Sequence, residues 1–362
     1  MGEVYLSMKE LIKRILFFTM RFMGKGFTRF CSKIPILKRI ANTILLADEI
    51  EKQYLNDDIS KLGTILDYSK YPSVTLNSQG NISNVDIILS TNDEFTGLKV
   101  ALIAHFDEQS IIDPYVLYYA KHLKILGYSI ILCSENSVNP NGISDGIFNA
   151  IVQRKNTGYD FASWKAAFTA FPSLYKASEI LLTNDSIFGP IGDLMPLFDS
   201  MIPLKCDFWG IVESKSIRAH LQSYFLVLYP KSLENPAFKE FLESIGTSKI
   251  YKDSVFLETI FTKWLTEHDL RAAVRFPANN SYYDYVNPSV YGAENLLKTG
   301  YFPFIKRRLL YKSKYMSPPI KDLTTILSSK GYPIELIVNY AQRLKLQLRF
   351  KLPNGNKKAA NG

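Results

Sequence analysis

From residue 99 to residue 276 the chain alternates short apolar runs with longer amphipathic stretches. Residues 99–105 (KVALIAH) form an apolar run of the kind a buried parallel strand needs. After a loop, Asp113 and Pro114 stand in N-cap and N1 positions, Val116, Ala120 and Leu123 share one helical face, and Gly127 marks the stop. Residues 128–133 (YSIILC) predict the next strand, 147–153 a strand, 161–171 a helix and 179–183 (EILLT) a further strand. Strands at 207–212 and 223–229 follow, then a helix capped by Asn235 with Pro236 at N1, a helix over 254–268 and a strand over 271–276. This βαβ series predicts an α/β fold, Rossmann-like, with a mostly parallel sheet flanked by helices on both faces. The domain occupies 99–305, with 48–98 expected as a connector of loops and one short helix, and 353–362 as a disordered tail.

Charge adds a second pattern. The chain of 362 residues carries 43 Lys and Arg against 34 Asp and Glu, a net +9, distributed unevenly. Residues 1–39 hold nine basic and two acidic side chains, residues 306–362 thirteen and two, so the stretch between them is net acidic. On a helix, Ile12, Ile15, Leu16, Phe22 and Met23 fall opposite Lys13, Arg14, Arg21 and Lys25, so segment 1–47 is expected to be a basic amphipathic helix. The basic bias returns in 306–352, read as a helical segment, at Lys306, Arg307, Arg308, Lys312, Lys314, Arg343, Lys345, Arg349 and Lys351. Two basic ends suit one anionic membrane surface, with packing on the protein's own domain as the plainer reading. Nucleic acid is disfavoured as a partner, because no zinc-finger spacing, glycine-rich RNA motif or recognition-helix signature is present. No apolar run reaches the roughly 20 residues that span a bilayer, and neither a cleavable signal nor a myristoylation motif fits the first residues. Three cysteines without ligand spacing suit a reducing setting; the expected location is cytoplasmic, peripheral on the inner face of the cell membrane.

Open α/β sheets bind ligands beyond the carboxyl ends of their strands, so polar residues directly after apolar runs are the candidates. His105, Phe106 and Asp107 follow the first strand, 154–160 the third, Asn184, Asp185 and Ser186 the fourth, and Glu213 and Ser214 the fifth. No GxGxxG fingerprint and no GxxxxGK loop occur, which disfavours a dehydrogenase or a P-loop NTPase. In a nucleotide-sugar transferase of the GT-A type, a carboxylate at a strand end holds a divalent cation, Mg or Mn, that bridges the donor phosphates. Asp185 stands in that place, and an Asx-turn is the plainer reading of the same tripeptide.

The stretches GYDFASWK (158–165), NDSIFGP (184–190), DFWG (207–210) and HLQSYF (220–225), in this order, resemble the rhamnan synthesis protein F family over about 99–276. The resemblance implies a GT-A-like fold and a glycosyltransferase of bacterial cell-surface polysaccharides, including lipopolysaccharide. The implied donor is a nucleotide sugar, with dTDP-rhamnose expected, and the acceptor a lipid-linked or growing glycan. Ala162 stands where the family motif is expected to have Gly. NDS offers one carboxylate where many GT-A enzymes have two.

Asp160 is a candidate cap for the helix beginning at Phe161, or a ligand for the donor ribose or base. Arg154 and Lys155 are candidates for the diphosphate, and Tyr159 for stacking, while Trp164 is assigned to the core. Asn184, Asp185, Ser186 and His105 complete the donor candidates. His220 and Gln222 are candidates for acceptor hydroxyls or donor phosphate. For the base that deprotonates the acceptor, Glu258 comes first, since in related GT-A enzymes the base opens a helix that ends about eleven residues later. Asp253, which is also a fitting N-cap, comes second and Glu213 third. The competing function is a non-catalytic member that binds polysaccharide or scaffolds an assembly complex at the membrane.

Overall fold

The computed structural model describes residues 63–350, apart from 77–79, 81, 83–84, 137, 139–145, 156–157, 247–250, 279–281, 286, 299–300 and 312–319. The expected amphipathic segment 1–47 and tail 353–362 lie outside the described residues. The described residues all belong to one compact unit.

The predicted strands form, within a residue or two in most cases. They are β3 (Lys99–His105), β4 (Ser129–Ser134), β5 (Ala150–Arg154), β6 (Glu179–Asn184), β8 (Phe208–Ser214), β10 (Phe225–Leu228) and β11 (Ala272–Phe276). With the edge strands β1 (Thr64–Ile65) and β2 (Val85–Ser90) they build a mixed sheet in the order β1-β11-β8-β10-β6-β3-β4-β5-β2, and β9 (His220–Leu221) pairs beside β8. The core run β6-β3-β4-β5 is parallel, as is β11-β8. The inserted β10 runs antiparallel to both its neighbours. Residues 48–98 are thus more than a connector, because β1 and β2 add antiparallel edges on β11 and β5. Their short runs, Thr64–Ile65 and VDIILS, carry too little periodic signal to be distinguished from loop.

Both faces of the sheet are covered, which explains why its strands read as continuous apolar runs. Successive side chains point to opposite sides. Val100, Leu102 and Ala104 of β3 join the core under α2 (Tyr159–Ala170), α3 (Pro236–Ser244) and α4 (Tyr251–Thr266). Ala101 and Ile103 join the other core, under α1 (Pro114–Ile125), α5 (Leu323–Ser329) and α6 (Ile334–Arg343). The C-terminal stretch therefore contributes core: Phe304, Ile305, Leu309, Leu310, Leu327, Ile337 and Val338 are all buried against that second face. The plainer reading of its basic pattern holds for these residues, since a helix with buried Ile337, Val338 and Ala341 has its apolar face covered already.

Much of the GYDFASWK motif is packing. Phe161, Ala162 and Trp164 are buried, and the Phe161 and Trp164 rings meet edge-on at 5.0 Å. Truncating such an aromatic costs about 3–5 kcal/mol. Gly158 sits at φ +86 before α2, where an added Cβ would fall 2.6 Å from Ala162 Cβ, so both motif positions require small residues. Among the described residues no helix is long and apolar enough to cross a membrane.

Candidate functional site

The chain runs outward from β3 to β4 and β5, then crosses back to place β6 on the other side of β3. That reversal opens a crevice outside the carboxyl ends of β3 and β6, the place where open α/β sheets hold ligands. Residues Asn184 to Ser186 leave β6 there. Asn184 makes the Asx-turn: its Oδ1 accepts from the Ser186 amide at 3.1 Å and the Ser186 hydroxyl at 2.6 Å. Its Nδ2 donates to Asp160 Oδ2 at 2.7 Å. Asp185 Oδ2 accepts from the Phe106 amide at 3.2 Å, which ties the two strand ends together.

Directly after this turn, β7 (Ile187–Phe188) pairs antiparallel with β12 (Ile305–Lys306), Lys306 opposite Ile187. Gly189 permits the approach, because a Cβ there would lie 2.5 Å from both the Phe304 ring and the Pro303 carbonyl. The pairing carries the basic run Lys306, Arg307, Arg308 into the crevice. Lys306 Nζ donates to Ser186 Oγ at 3.1 Å and stands 3.9 Å from the Tyr224 ring centroid. Arg307 donates to Tyr115 Oη at 2.6 Å and Tyr340 Oη at 3.1 Å, and pairs with Asp185 Oδ1 at 3.3 Å. Charge pairing rather than a membrane thus occupies Arg307. Arg343 likewise turns inward, to Asp107 and Asp113, so Asp113 keeps its place before α1 without a side-chain cap bond.

These elements enclose a cavity of about 450 Å³ lined by Asp160, Asn184, Ser186, Gln222, Ser223 and Glu258 from the central region and by Lys306, Arg307, Arg308, Tyr311 and Tyr340 from the C-terminal stretch. Ser254, Val255, Asn287, Val290 and Leu346 complete its lining. Asp160 lies in the first turn of α2, whose N-cap is Gly158, so it caps nothing and instead faces Asn184 and the cavity. Burial pushes its carboxyl up to about 6, and the nearby Asp185 charge adds to the shift. Glu258 stands midway along α4 instead of opening it, because that helix begins earlier, at Tyr251. Its Oε1 accepts from the Ser223 amide and hydroxyl, both at 2.8 Å, and Oε2 has no hydrogen-bond partner among the described residues. Gln222 Oε1 accepts from the Ser289 hydroxyl, which orients the amide.

Other candidates are spent elsewhere. Arg154 is buried, paired with Glu135 at 2.6 Å and bonded to Ser163 Oγ and the Tyr159 carbonyl, while Lys155 is exposed outside the cavity. Burial pushes Glu135 up to about 7 against the opposing pull of Arg154. His105 bridges Ser134 and the Ile111 carbonyl, and His220 bonds the Arg218 carbonyl. Glu213 accepts from Tyr68 Oη and the Ala278 amide. Asp253 is exposed on the first turn of α4, and neither it nor Tyr159 lines the cavity.

The donor set does not suit a divalent cation. Both oxygens of Asp185 already meet donors, one of them a guanidinium, and among the described residues no three His, Cys, Asp or Glu side chains group closely enough to hold a metal ion.

Sequence reasoning missed Lys306, Arg307, Arg308, Tyr311 and Tyr340, all beyond residue 305. A signal was present: an acidic middle with a basic stretch after it is also the pattern of a chain that pairs its own charges.

The virulence protein VirA of Vibrio anguillarum is 27% identical over 221 residues, covering 51% of this chain and 70% of that protein. The uncharacterized protein y4gN of Sinorhizobium fredii is 25% identical over 157 residues, 40% of each chain. Among solved structures, the catalytic domain of Drosophila β1,4-galactosyltransferase 7 aligns with a TM-score of 0.29 at 11% identity over 51% of this chain. The glycosyltransferase GlyE of Streptococcus pneumoniae aligns with a TM-score of 0.34 at 13% identity over 71%. This chain spans 66% of each of those two. The rhamnan synthesis protein F family matches residues 130–359, well over half of the sequence, and takes in both the central motifs and the C-terminal stretch that closes the cavity; the chain belongs to that family.

Proposed function

We propose that this chain is a glycosyltransferase that moves a sugar, rhamnose from dTDP-rhamnose in the first instance, from a nucleotide-sugar donor to a lipid-linked or growing glycan of the bacterial surface. The observation that carries the reading is the cavity beside the carboxyl end of β6. It gathers a carboxylate with one unengaged oxygen, a second carboxylate and several cations within one enclosure of ligand size.

In this reading Glu258 is the base. The two Ser223 bonds to Oε1 hold the carboxylate in one orientation, and Oε2 takes the proton of the acceptor hydroxyl. As the acceptor oxygen bonds to the anomeric carbon, the bond from that carbon to the phosphate oxygen breaks, and the nucleoside diphosphate leaves with the electron pair. Asp160 and Asn184, held at 2.7 Å from one another, offer hydrogen bonds to donor hydroxyls. Gln222, oriented by Ser289, does the same for the acceptor. Work on a lipid-linked acceptor places the chain at the inner membrane face, with the basic segment 1–47 as the contact with anionic lipid.

The test is consumption of a panel of nucleotide sugars by the full chain, with transfer to a lipid-linked glycan extract followed by mass spectrometry. Release of a nucleoside diphosphate from one donor, lost in Glu258→Gln, supports the reading. Binding of glycan with no donor consumed points to the non-catalytic scaffold.

A further inference from the structure

We propose that the donor diphosphate is held by Lys306, Arg308 and Tyr311, and that these side chains take the place of a divalent cation. The proposal rests on the transferase reading and adds how its leaving group is bound.

Three observations converge. First, Lys306 is a partly buried ammonium on the cavity wall whose hydrogen bond goes to a neutral oxygen, Ser186 Oγ. It forms no ion pair among the described residues, and the carboxylates of Glu258 and Asp160 act on it only from beyond contact distance. A partly desolvated cation held without a contact ion pair is costly, and an arriving anion relieves that cost. Second, two polar atoms of the cavity lining are buried without a hydrogen-bond partner, Tyr311 Oη and Asn287 Oδ1, and Asn287 sits at φ +100. Buried polar atoms are almost always paired, so an orphaned hydroxyl on a residue that lines the same cavity as Lys306 marks a place for a ligand oxygen. Third, the acidic residue expected to bind metal, Asp185, is neutralised by Arg307. Arg308, exposed at the cavity rim, remains available beside Lys306.

A diphosphate diester carries two negative charges, which Lys306 and Arg308 meet at one wall of the cavity, and Tyr311 supplies a neutral donor. When the bond to the sugar breaks, a further negative charge develops on the leaving phosphate. Fixed cations already in place stabilise that charge without reorganisation.

The experiment is calorimetric titration of the full chain with dTDP, UDP, GDP and inorganic pyrophosphate, in chelator and then with added Mg²⁺ or Mn²⁺. At least one of the four is expected to bind in chelator, with affinity changed less than about twofold by metal. Loss of a charged hydrogen bond in Lys306→Gln should weaken it by about tenfold or more, and the isosteric Tyr311→Phe by several-fold. The exposed control Lys345→Gln should leave it unchanged. Binding that needs added metal, or Lys306→Gln and Tyr311→Phe variants that bind like the parent, overturns the proposal. If Lys306→Gln does not fold, Tyr311→Phe and Arg308→Gln decide it. A sugar transferred only with metal sinks this site and leaves the transferase standing; diphosphate bound in chelator with no donor consumed does the reverse.

Discussion

Arg307 and Asp185 are 122 residues apart in the chain and meet at 3.3 Å, the guanidinium held in addition by the hydroxyls of Tyr115 and Tyr340. The pair joins the end of β6 to the strand that closes the cavity. It converts a carboxylate placed where a metal ligand was expected into a counterion.

The pair makes Asp185→Ala a stability variant first. With side chains only 9% and 23% exposed, removal of Asp185 leaves Arg307 uncompensated, and a broken buried pair costs about 3–5 kcal/mol. A thermal midpoint several degrees lower, partly restored by adding Arg307→Gln, is expected by circular dichroism. An unchanged midpoint would show that the contact contributes nothing to the fold.

For Glu258 the expectation is kinetic. Glu258→Gln keeps the Ser223 bonds to one oxygen but loses basicity, so turnover should fall by about 10²–10⁴ with the donor KM little changed. A parallel loss of donor affinity would assign Glu258 to donor binding instead.

Asp160 provides a pH signature. Its folded pKa, about 6, is above the ordinary 3.8, so the folded state binds its proton more tightly than the unfolded chain. Stability from this group is present below pH 4 and lost as pH rises to about 6. Asp160→Asn should therefore match the parent near pH 4 and melt higher at pH 7, while transfer falls. Equal melting at both pH values would refute the burial of the charge.

Lys306 titrates in the opposite direction. Burial lowers it to about 8 from 10.5. Below pH 8 the ammonium is charged in both states and the fold bears the cost of its burial; that cost is relieved as pH rises from 8 to 10.5. Diphosphate affinity should therefore start to decline near pH 8, and Lys306→Arg should move the decline to higher pH. A flat affinity profile from pH 7 to 9.5 would remove Lys306 from the site.

Association with anionic vesicles is the last expectation. Substituting Lys13, Arg14, Arg21 and Lys25 by Gln in the full chain should weaken binding, as should added salt, because each basic side chain near such a surface contributes about 1 kcal/mol. Equal binding by the two proteins would argue for apolar insertion alone or a different contact.

The order of strands and helices from 99 to 276 was legible because both faces of the sheet are buried, so each strand had to be a continuous apolar run, and Asn235 announced its helix by a cap that the structure shows, accepting from the Ala237 amide at 2.9 Å. Strand-end logic also located Asn184 and Asp160 beside one cavity, since ligand sites follow from sheet topology, whereas Gln222 came from the family-like motif and Glu258 from a helix start that the structure places seven residues earlier. Which partner each polar residue takes was not legible. Arg154 turned to Glu135, His105 to Ser134, and Asp185 to Arg307, and each choice depends on side chains brought together by folding over 19 to 122 residues. The basic run at Lys306 has the same composition whether it faces lipid or its own chain. Only the pairing of β12 with β7 places it in the cavity, because backbone hydrogen bonds between distant strands, unlike a hydrophobic period, leave no mark on the local sequence.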